Sequence, residues 1–591
     1  MRKLWYSIIC FSITFVVGYA GVTAWDRWHY WEKDKELFSD LLNHPQSSAS
    51  SSPNQKIETK SSQGQFHFES SINSGIDFEY QNGSQGEYHL AETLGGGVGV
   101  FDFDHDQIND LVFVDGGTAY EPARGQGNHL VLYRGQQEIK FQDVTNVSGL
   151  EWEGYGHGCI VGDINNDGFD DLYLTGYLST GLFINQGDGT FLEATESSGL
   201  RLDRWCGSAT FSDLDSDGDL DLYVTGYADT PATLPTPVCQ SGEKRIHCHP
   251  HHYNSIPDSI FENLGDGRFL DRSQTSGIAD HREYGLGVMI VDLNSDSHPD
   301  IFVANDGDRN LLFQNQGDWG FQEIALVAGV AYNSKGRSMG SMGIASADFT
   351  GDGAFDLLTT NFSGERNVLF QNIGEMLFLD NSLNTPIDYT SRPLVGWSAI
   401  PIDVDYDGHM DLFVSNGHVT EMPDEEFRQS PLLMRGLPDG KWEAAQAAGE
   451  YFLESWHGRG AAKADFNGDY YSDLVVSHIS NPPSILLNRS GDPGNRIAIS
   501  LIGTISNRNA INTSVSFKSD ERVNNYQISL NNGYLCSEPG LLVIGLGAAE
   551  SVSNLTIEWP SGKNIVIPTV LANTKIVIVE DGVIHTSILP N

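Results

Sequence analysis

The chain has 591 residues, 39% of them apolar, with 64 glycines, a composition that fits a globular protein of more than one domain. Acidic residues outnumber Lys and Arg 79 to 34, for a formal charge of −45, which excludes nucleic acid as a partner bound through its phosphates. That much negative charge in a compact fold calls for heavy solvation or for bound cations.

Arg2 and Lys3 precede an uncharged stretch from Leu4 to Trp25, 22 residues long, about the length that spans a bilayer. Two readings of residues 1–25 stand side by side. One is a signal peptide cleaved at the small residues Val22, Thr23 and Ala24. The other is an uncleaved transmembrane anchor, favoured by the length of the run and the basic residues before it. Both put the rest of the chain outside the cytoplasm, either secreted or membrane-anchored and facing the extracellular or periplasmic side. Residues 26–64 read as a short juxtamembrane helix and a Ser-rich linker. Export permits disulfides. Cys239 and Cys248 share one loop and are expected to pair, with Cys159 and Cys206 as a second candidate pair.

From about residue 65 the chain repeats itself. A nine-residue acidic motif recurs seven times, first positions being separated by 61, 50, 79, 56, 55 and 62 residues. Positions 1, 3, 5 and 9 are Asp102, Asp104, Asp106 and Asp110 in the first copy and Asp163, Asn165, Asp167 and Asp171 in the second. They are Asp213, Asp215, Asp217 and Asp221 in the third, and Asp292, Asn294, Asp296 and Asp300 in the fourth. The last three copies have Asp348, Thr350, Asp352 and Asp356; Asp403, Asp405, Asp407 and Asp411; and Asp465, Asn467, Asp469 and Asp473. Strand-like runs such as Leu222-Tyr223-Val224 follow each motif. Between motifs lie hairpin signals such as FINQGDGTF and FENLGDGRF, then an element such as FLEATESSGL. Each repeat therefore holds about four short strands. The reading is an all-β chain: a seven-bladed β-propeller over 65–493 and a separate, small β-sandwich-like domain over 494–591, preceded by the N-terminal segment. The element after the hairpin precedes every acidic motif, including the first (FHFESSINSGI), but does not follow the last. The strand near Phe66–Ser70 is thus expected to complete the seventh blade and close the ring, hiding its edges.

The spacing suits a hard cation. Ca²⁺ takes six to eight oxygens, which a loop can supply from positions 1, 3, 5, a carbonyl at 7 and a later carboxylate. An EF-hand needs flanking helices and a Glu at position 12; strands flank these loops instead. Asp-rich turns also form without metal, but seven in-register copies favour up to seven structural Ca²⁺ ions. Asp213–Asp221 and Asp403–Asp411, with four acids and a turn glycine, are expected to bind best. Gln107, Ser297 and Tyr470 replace that glycine and should strain their loops.

These motifs, with LGGGVGVFDFD, SMGIASADF, LFVSNGHV and GRGAAKADF, resemble the FG-GAP (VCBS) repeats of integrin α-chain propellers, and more closely the ASPIC/UnbV (cartilage acidic protein-like) family. The tail adds GTISNRNAI, GYLCSEP, IGLG and EWPSGK. The resemblance implies a calcium-binding, extracytoplasmic propeller with a β-rich C-terminal cap, and it supplies no catalytic residues. The sequence departs from the family at Asn512, where Gly is usual, and at Ile544, where Phe is usual.

The insertion PVCQSGEKRIHCHPHHYNS gathers His247, His249, His251 and His252 beside Cys239 and Cys248. It is a candidate site for Zn²⁺ or Cu²⁺, though a disulfide-stapled surface loop explains it more simply. Nucleophile, Walker, zincin and dinucleotide motifs are absent from the sequence. The expected function is recognition or adhesion toward a protein or glycan ligand. An exported enzyme acting on polysaccharide or phosphate ester, and an architectural surface or matrix component, are the alternatives.

Overall fold

Each acidic motif ends in a run of β-branched and aromatic residues, and that run is a fully buried strand. Asp221–Gly226, for example, is buried at all six positions. A strand covered on both faces has no reason to alternate apolar and polar residues. The computed structural model describes residues 66–590, apart from 72, 118–128, 231–236, 423–424, 439, 446–447, 492, 520–521 and 531. The apolar run Leu4–Trp25 and the linker over 26–64 lie outside the described residues. Among those described, no helix is long and apolar enough to cross a membrane.

The acidic repeats form seven four-stranded antiparallel sheets. In the second repeat the order is Tyr155–Gly162, Asp171–Tyr177, Gly181–Asn185 and Phe191–Glu193. The acidic motif is the turn between the first two strands, and the Gly-Asp-Gly hairpin joins the last two. One-turn helices such as Thr195–Ser198 then lead to the next sheet. The third repeat spends its extra length between its second and third strands, on two small ribbons, Ala228–Asp229 with Asn254–Ser255 and Cys239–Ser241 with Lys244–Ile246.

The first strand of each sheet packs on the first strand of the next. The series ends with Gly458–Ala464 of the seventh repeat against Val98–Phe101 of the first. Each junction between neighbouring sheets has its own apolar cluster. The junction of the seventh repeat with the first joins Ala462, Val475 and Ile485 to Val98, Leu111 and Phe113. Phe68–Ser70 supplies the outer strand of the seventh sheet, with Phe68 opposite Asn488. The early strand sits where the phase of the repeats puts it, and the arrangement is propeller-like.

Residues 495–588 form two more four-stranded sheets, which enclose one core that includes Ile497, Val515, Phe517, Ile557 and Ile578. Asn495–Ile502 and Thr574–Val579 run parallel, the remaining pairs antiparallel.

Cys239 and Cys248 form a disulfide. The second candidate pair is corrected: Cys159, Cys206 and Cys536 are free and buried. Cys159 faces the junction of the first and second sheets, beside Val112 and Val161, while Cys206 faces the junction of the second and third, beside Tyr173 and Phe211. The second sheet stands between their thiols.

Candidate metal centres in the acidic loops

All seven acidic loops share one backbone path. Position 6 is left-handed in each, at Gly168 (φ 98°), Gly218 (96°), Gly353 (90°) and Gly408 (86°), but also at Gln107 (69°), Ser297 (69°) and Tyr470 (58°). The three loops without the glycine keep the geometry in a region L-residues rarely adopt. Position 4 is left-handed as well, at His105, Asn166, Ser216, Ser295, Gly351, Tyr406 and Gly468. The mixed residue types at position 4 hide this second kink from sequence reading.

The carboxylates hold that path. The position 1 carboxylate accepts N–H bonds from the turn. Asp163 takes Asp167 at 3.0 Å and Gly168 at 2.7 Å, and Asp102 takes Asp106 at 3.0 Å and Gln107 at 2.8 Å. The position 5 carboxylate takes the N–H of position 7, as Asp217 does from Asp219 at 2.9 Å. Position 9 is a buried keystone. Asp221 accepts from Leu214 N–H at 2.8 Å and from Asn263 N–H, on the third strand, at 2.9 Å. Asp110, Asp171, Asp300, Asp356, Asp411 and Asp473 make the same pair of bonds.

Five repeats add a latch that sequence reading missed. The Asn that opens the hairpin signal sends its amide to the preceding repeat. Asn185 donates to Phe103 O, Asn263 to Ile164 O, Asn315 to Leu214 O, Asn372 to Leu293 O and Asn488 to Val404 O, at 2.8–3.0 Å. The N-x-G that begins at Asn185, Asn263, Asn315 and Asn372 was the available signal; Asn488 lacks it.

Where position 3 is an acid, the carboxylates of positions 1, 3 and 9 converge. Oxygens of Asp102, Asp104 and Asp110 lie within 4.8 Å of one another, as do those of Asp213, Asp215 and Asp221, and of Asp403, Asp405 and Asp411. In the other loops a neutral side chain holds position 3, and Asn165, Asn294 and Asn467 use their oxygen on the N–H of position 5. Within the three acid-rich loops Asp104, Asp213, Asp215 and Asp405 each keep a buried Oδ1 without a hydrogen-bond partner. An unpartnered buried carboxylate oxygen is costly. Burial pushes Asp213 up to about 7 and Asp403, Asp110, Asp171 and Asp300 up to about 8. A hard cation would remove that cost, so the carboxylates at positions 1, 3 and 9 of these three loops fit Ca²⁺.

The same loops are the docking surface of the C-terminal sandwich. Asn509 accepts from Asp163 N–H at 2.7 Å and donates to Asp170 at 2.8 Å. Gln527 accepts from Asp292 N–H at 3.0 Å, and Asn525 donates to Gly353 O at 2.7 Å. Gly494 N–H reaches Asp405 O at 2.7 Å. The Arg496 guanidinium donates to Asp469 O at 2.8 Å and stacks 3.8 Å from the Tyr471 ring. From this platform residues 533–537 enter the middle of the ring. Gly533 exchanges two backbone bonds with Ile344, and Ser537 pairs with Val98 and Val100. Tyr534 and Leu535 join a buried cluster with Trp205, Tyr227 and Trp397. Gly158 on the second repeat's first strand leaves the space, since a Cβ there would lie 2.9 Å from that of Leu535.

The histidines of the insertion do not converge on one centre. His247 Nε2 lies 3.3 Å from the buried Glu92 Oε2, the His249 and His251 rings pack at 4.6 Å, and His252 Nε2 sits 3.5 Å from the disulfide sulfur of Cys239.

Matches of the repeats to known families begin at the acidic turns and run into the second strand of the next repeat. The family description "FG-GAP-like repeat" matches residues 102–174, 163–224 and 292–359, and "ASPIC and UnbV" matches 503–584. The chain carries FG-GAP-like repeats and an ASPIC and UnbV domain. Cartilage acidic protein 1 of Mus musculus is 27% identical over 344 residues, covering 55% of this chain and 50% of that protein. The Xenopus tropicalis protein of that name is 29% identical over 294 residues, covering 47% and 42%. The chain thus spans about half the length of the curated relatives it matches. Among solved structures, an Agrocybe aegerita lectin described as recognising non-reducing terminal N-acetylglucosamine aligns at a TM-score of 0.39 and 15% identity, over 66% of this chain and 94% of the lectin. A protein of the COPII outer coat aligns at 0.36 and 9%, over 67% and 84%. The residues that match ASPIC and UnbV, 503–584, lie in the sandwich that docks on the acidic loops.

Proposed function

We propose that the chain is an exported, calcium-stabilised recognition module: a seven-bladed β-propeller whose acidic loops hold structural Ca²⁺ beneath the ASPIC and UnbV domain, and whose opposite face meets a protein or glycan ligand. The observation that carries this reading is the docking of the C-terminal sandwich. It covers the acidic-loop face and fills the ring's middle with Tyr534 and Leu535. The acidic loops join first to second strands, so connections from second to third strands emerge at the other end of each antiparallel sheet. The long excursion of the third repeat belongs to that free face. There an open, shallow groove is lined by Asp229, His251, Tyr253, Asn254, Arg282 and Tyr284. Phenolic rings beside amide, carboxylate and guanidinium groups provide both a flat apolar contact and directional hydrogen bonds, which suits a polar ligand such as a saccharide.

The test is a screen of the full-length chain against glycans and protein partners, with Ca²⁺ present. A ligand whose affinity falls in Tyr253→Ala and Arg282→Ala, while both variants keep the parent melting temperature, supports the reading. A ligand that binds both variants unchanged places recognition elsewhere.

A further inference from the structure

The three acid-rich loops differ in what the third strand presents to them. One residue before the third-strand N–H that bonds the keystone aspartate stand Arg134 in the first repeat, Glu262 in the third and Arg435 in the sixth. Arg134 brings Nε to 2.6 Å from Asp104 Oδ2 and Nη2 to 3.0 Å from Asp106 Oδ2. Arg435 forms an ion pair with Asp405, whose side chain is 5% exposed. In both repeats the guanidinium meets the position 3 carboxylate, one of the three that converge.

The substitution comes with a second change. Where the Arg stands, the next residue is Gly135 or Gly436, and the latching Asn of the other five repeats is lost. A Cβ on Gly135 would lie 2.3 Å from Asn109 O, and one on Gly436 2.4 Å from Met410 O. The third repeat keeps Asn263 and has Glu262 before it. Glu262 is held by Arg272 at 2.6 Å. Asp213 is 1% exposed, and Asp213 Oδ1 and Asp215 Oδ1 both lack partners. The Trp319 indole N–H donates to the other Asp215 oxygen at 2.9 Å and fixes the side chain.

We infer that Arg134 and Arg435 are built-in replacements for a divalent ion in the first and sixth repeats, so that the tightest divalent site of the protein is the Asp213–Asp221 loop alone, with Glu262 adding negative charge beside it. This rests on the proposed calcium binding. It revises the ranking that acid count alone gives, which puts the third and sixth loops level. A guanidinium already paired with the position 3 carboxylate must be displaced before an ion can use that oxygen, whereas the third loop presents an extra carboxylate in its place.

The experiment is calorimetric Ca²⁺ titration of the full-length chain and of the variants Asp215→Asn, Glu262→Gln, Arg435→Met and Arg134→Met. Each variant's melting temperature is measured alongside. The parent is expected to show one site tighter than the rest. Asp215→Asn abolishes it, and Glu262→Gln weakens it by about tenfold, since charge count tunes these affinities. Arg435→Met creates a second tight site. Arg134→Met, which removes a side chain 43% exposed and so less bound into the fold, does the same if Arg435→Met fails to fold. Two equal tight sites in the parent, or Arg variants with unchanged stoichiometry and affinity, overturn the inference while leaving calcium binding intact. A parent that binds no Ca²⁺ overturns the calcium reading on which it rests.

Discussion

Asn512 of the C-terminal sandwich reaches across to Asp213: one amide oxygen accepts from the Asp213 N–H at 3.3 Å and from the neighbouring Ser212 hydroxyl at 2.8 Å. Asn512 is itself left-handed, at φ 69°. Gly is usual at this place in the resembling family, and Asn is among the few other residues that take that conformation readily. Asn512→Gly should therefore keep the turn, lose the bridge and cost about 1–2 kcal/mol. Asn512→Val should cost more, because a β-branched residue is strained there. Urea unfolding of the two variants gives the order; Val milder than Gly would contradict it.

Asn263 ties three places together. Its Nδ2 donates to Ile164 O at 2.8 Å and Leu220 O at 3.1 Å, and its Oδ1 accepts from Gly265 N–H at 3.0 Å. Asn263→Ala leaves two buried carbonyls short of a donor and should cost about 2–3 kcal/mol. Leu264→Ala, next to it but exposed, is the control and should shift the urea midpoint little.

The repeats, their phase and the closing strand were legible because each copy restates the same alternation of acidic turn, apolar strand and hairpin. Position 6 was legible through its glycines. Position 4 was not, since His105, Ser216 and Tyr406 share no chemistry that announces a left-handed backbone. Docking of the sandwich was hidden for another reason: its contacts are made by Asn509, Asn525 and Gln527 to main-chain groups more than a hundred residues away, and such pairs leave no local pattern. Arg134 and Arg435 stand before the strand glycines Gly135 and Gly436, opposite the acidic turn, and no local pattern links them to its carboxylates. Cys159 and Cys206 sit on comparable strands, and only the direction each thiol takes separates them.

Gly158 gives way to Leu535. Gly158→Val puts a side chain where Leu535 already packs and should cost about 3 kcal/mol or more through overpacking. Loss should appear first at the plug, as faster hydrogen exchange in residues 532–539 under native conditions. Exchange that rises evenly over the whole chain would argue against a local wedge.

Glu580 organises the loop that opens the ASPIC and UnbV domain. Burial alone would raise its carboxyl. The Ser561 hydroxyl and the N–H groups of Thr504, Ile505 and Ser506 outweigh burial and hold it down at about 2. A carboxyl depressed on folding stabilises the folded state above its unfolded value near 4.5 and loses that contribution as pH falls toward 2. Glu580→Gln should therefore destabilise the chain most at pH 7 and least near pH 2. Urea midpoints of parent and variant should converge as pH falls; a gap that stays constant would show that the charge is not what matters.

The central claim, that divalent ions hold the acidic loops in place beneath the sandwich, is tested most directly by melting the full-length chain at pH 7.5 in millimolar Ca²⁺ and in excess chelator. Ligand linkage predicts a Tm higher by about 5–10 °C with Ca²⁺, and a smaller gain in Asp213→Asn. Identical melting curves in Ca²⁺ and chelator would contradict the account.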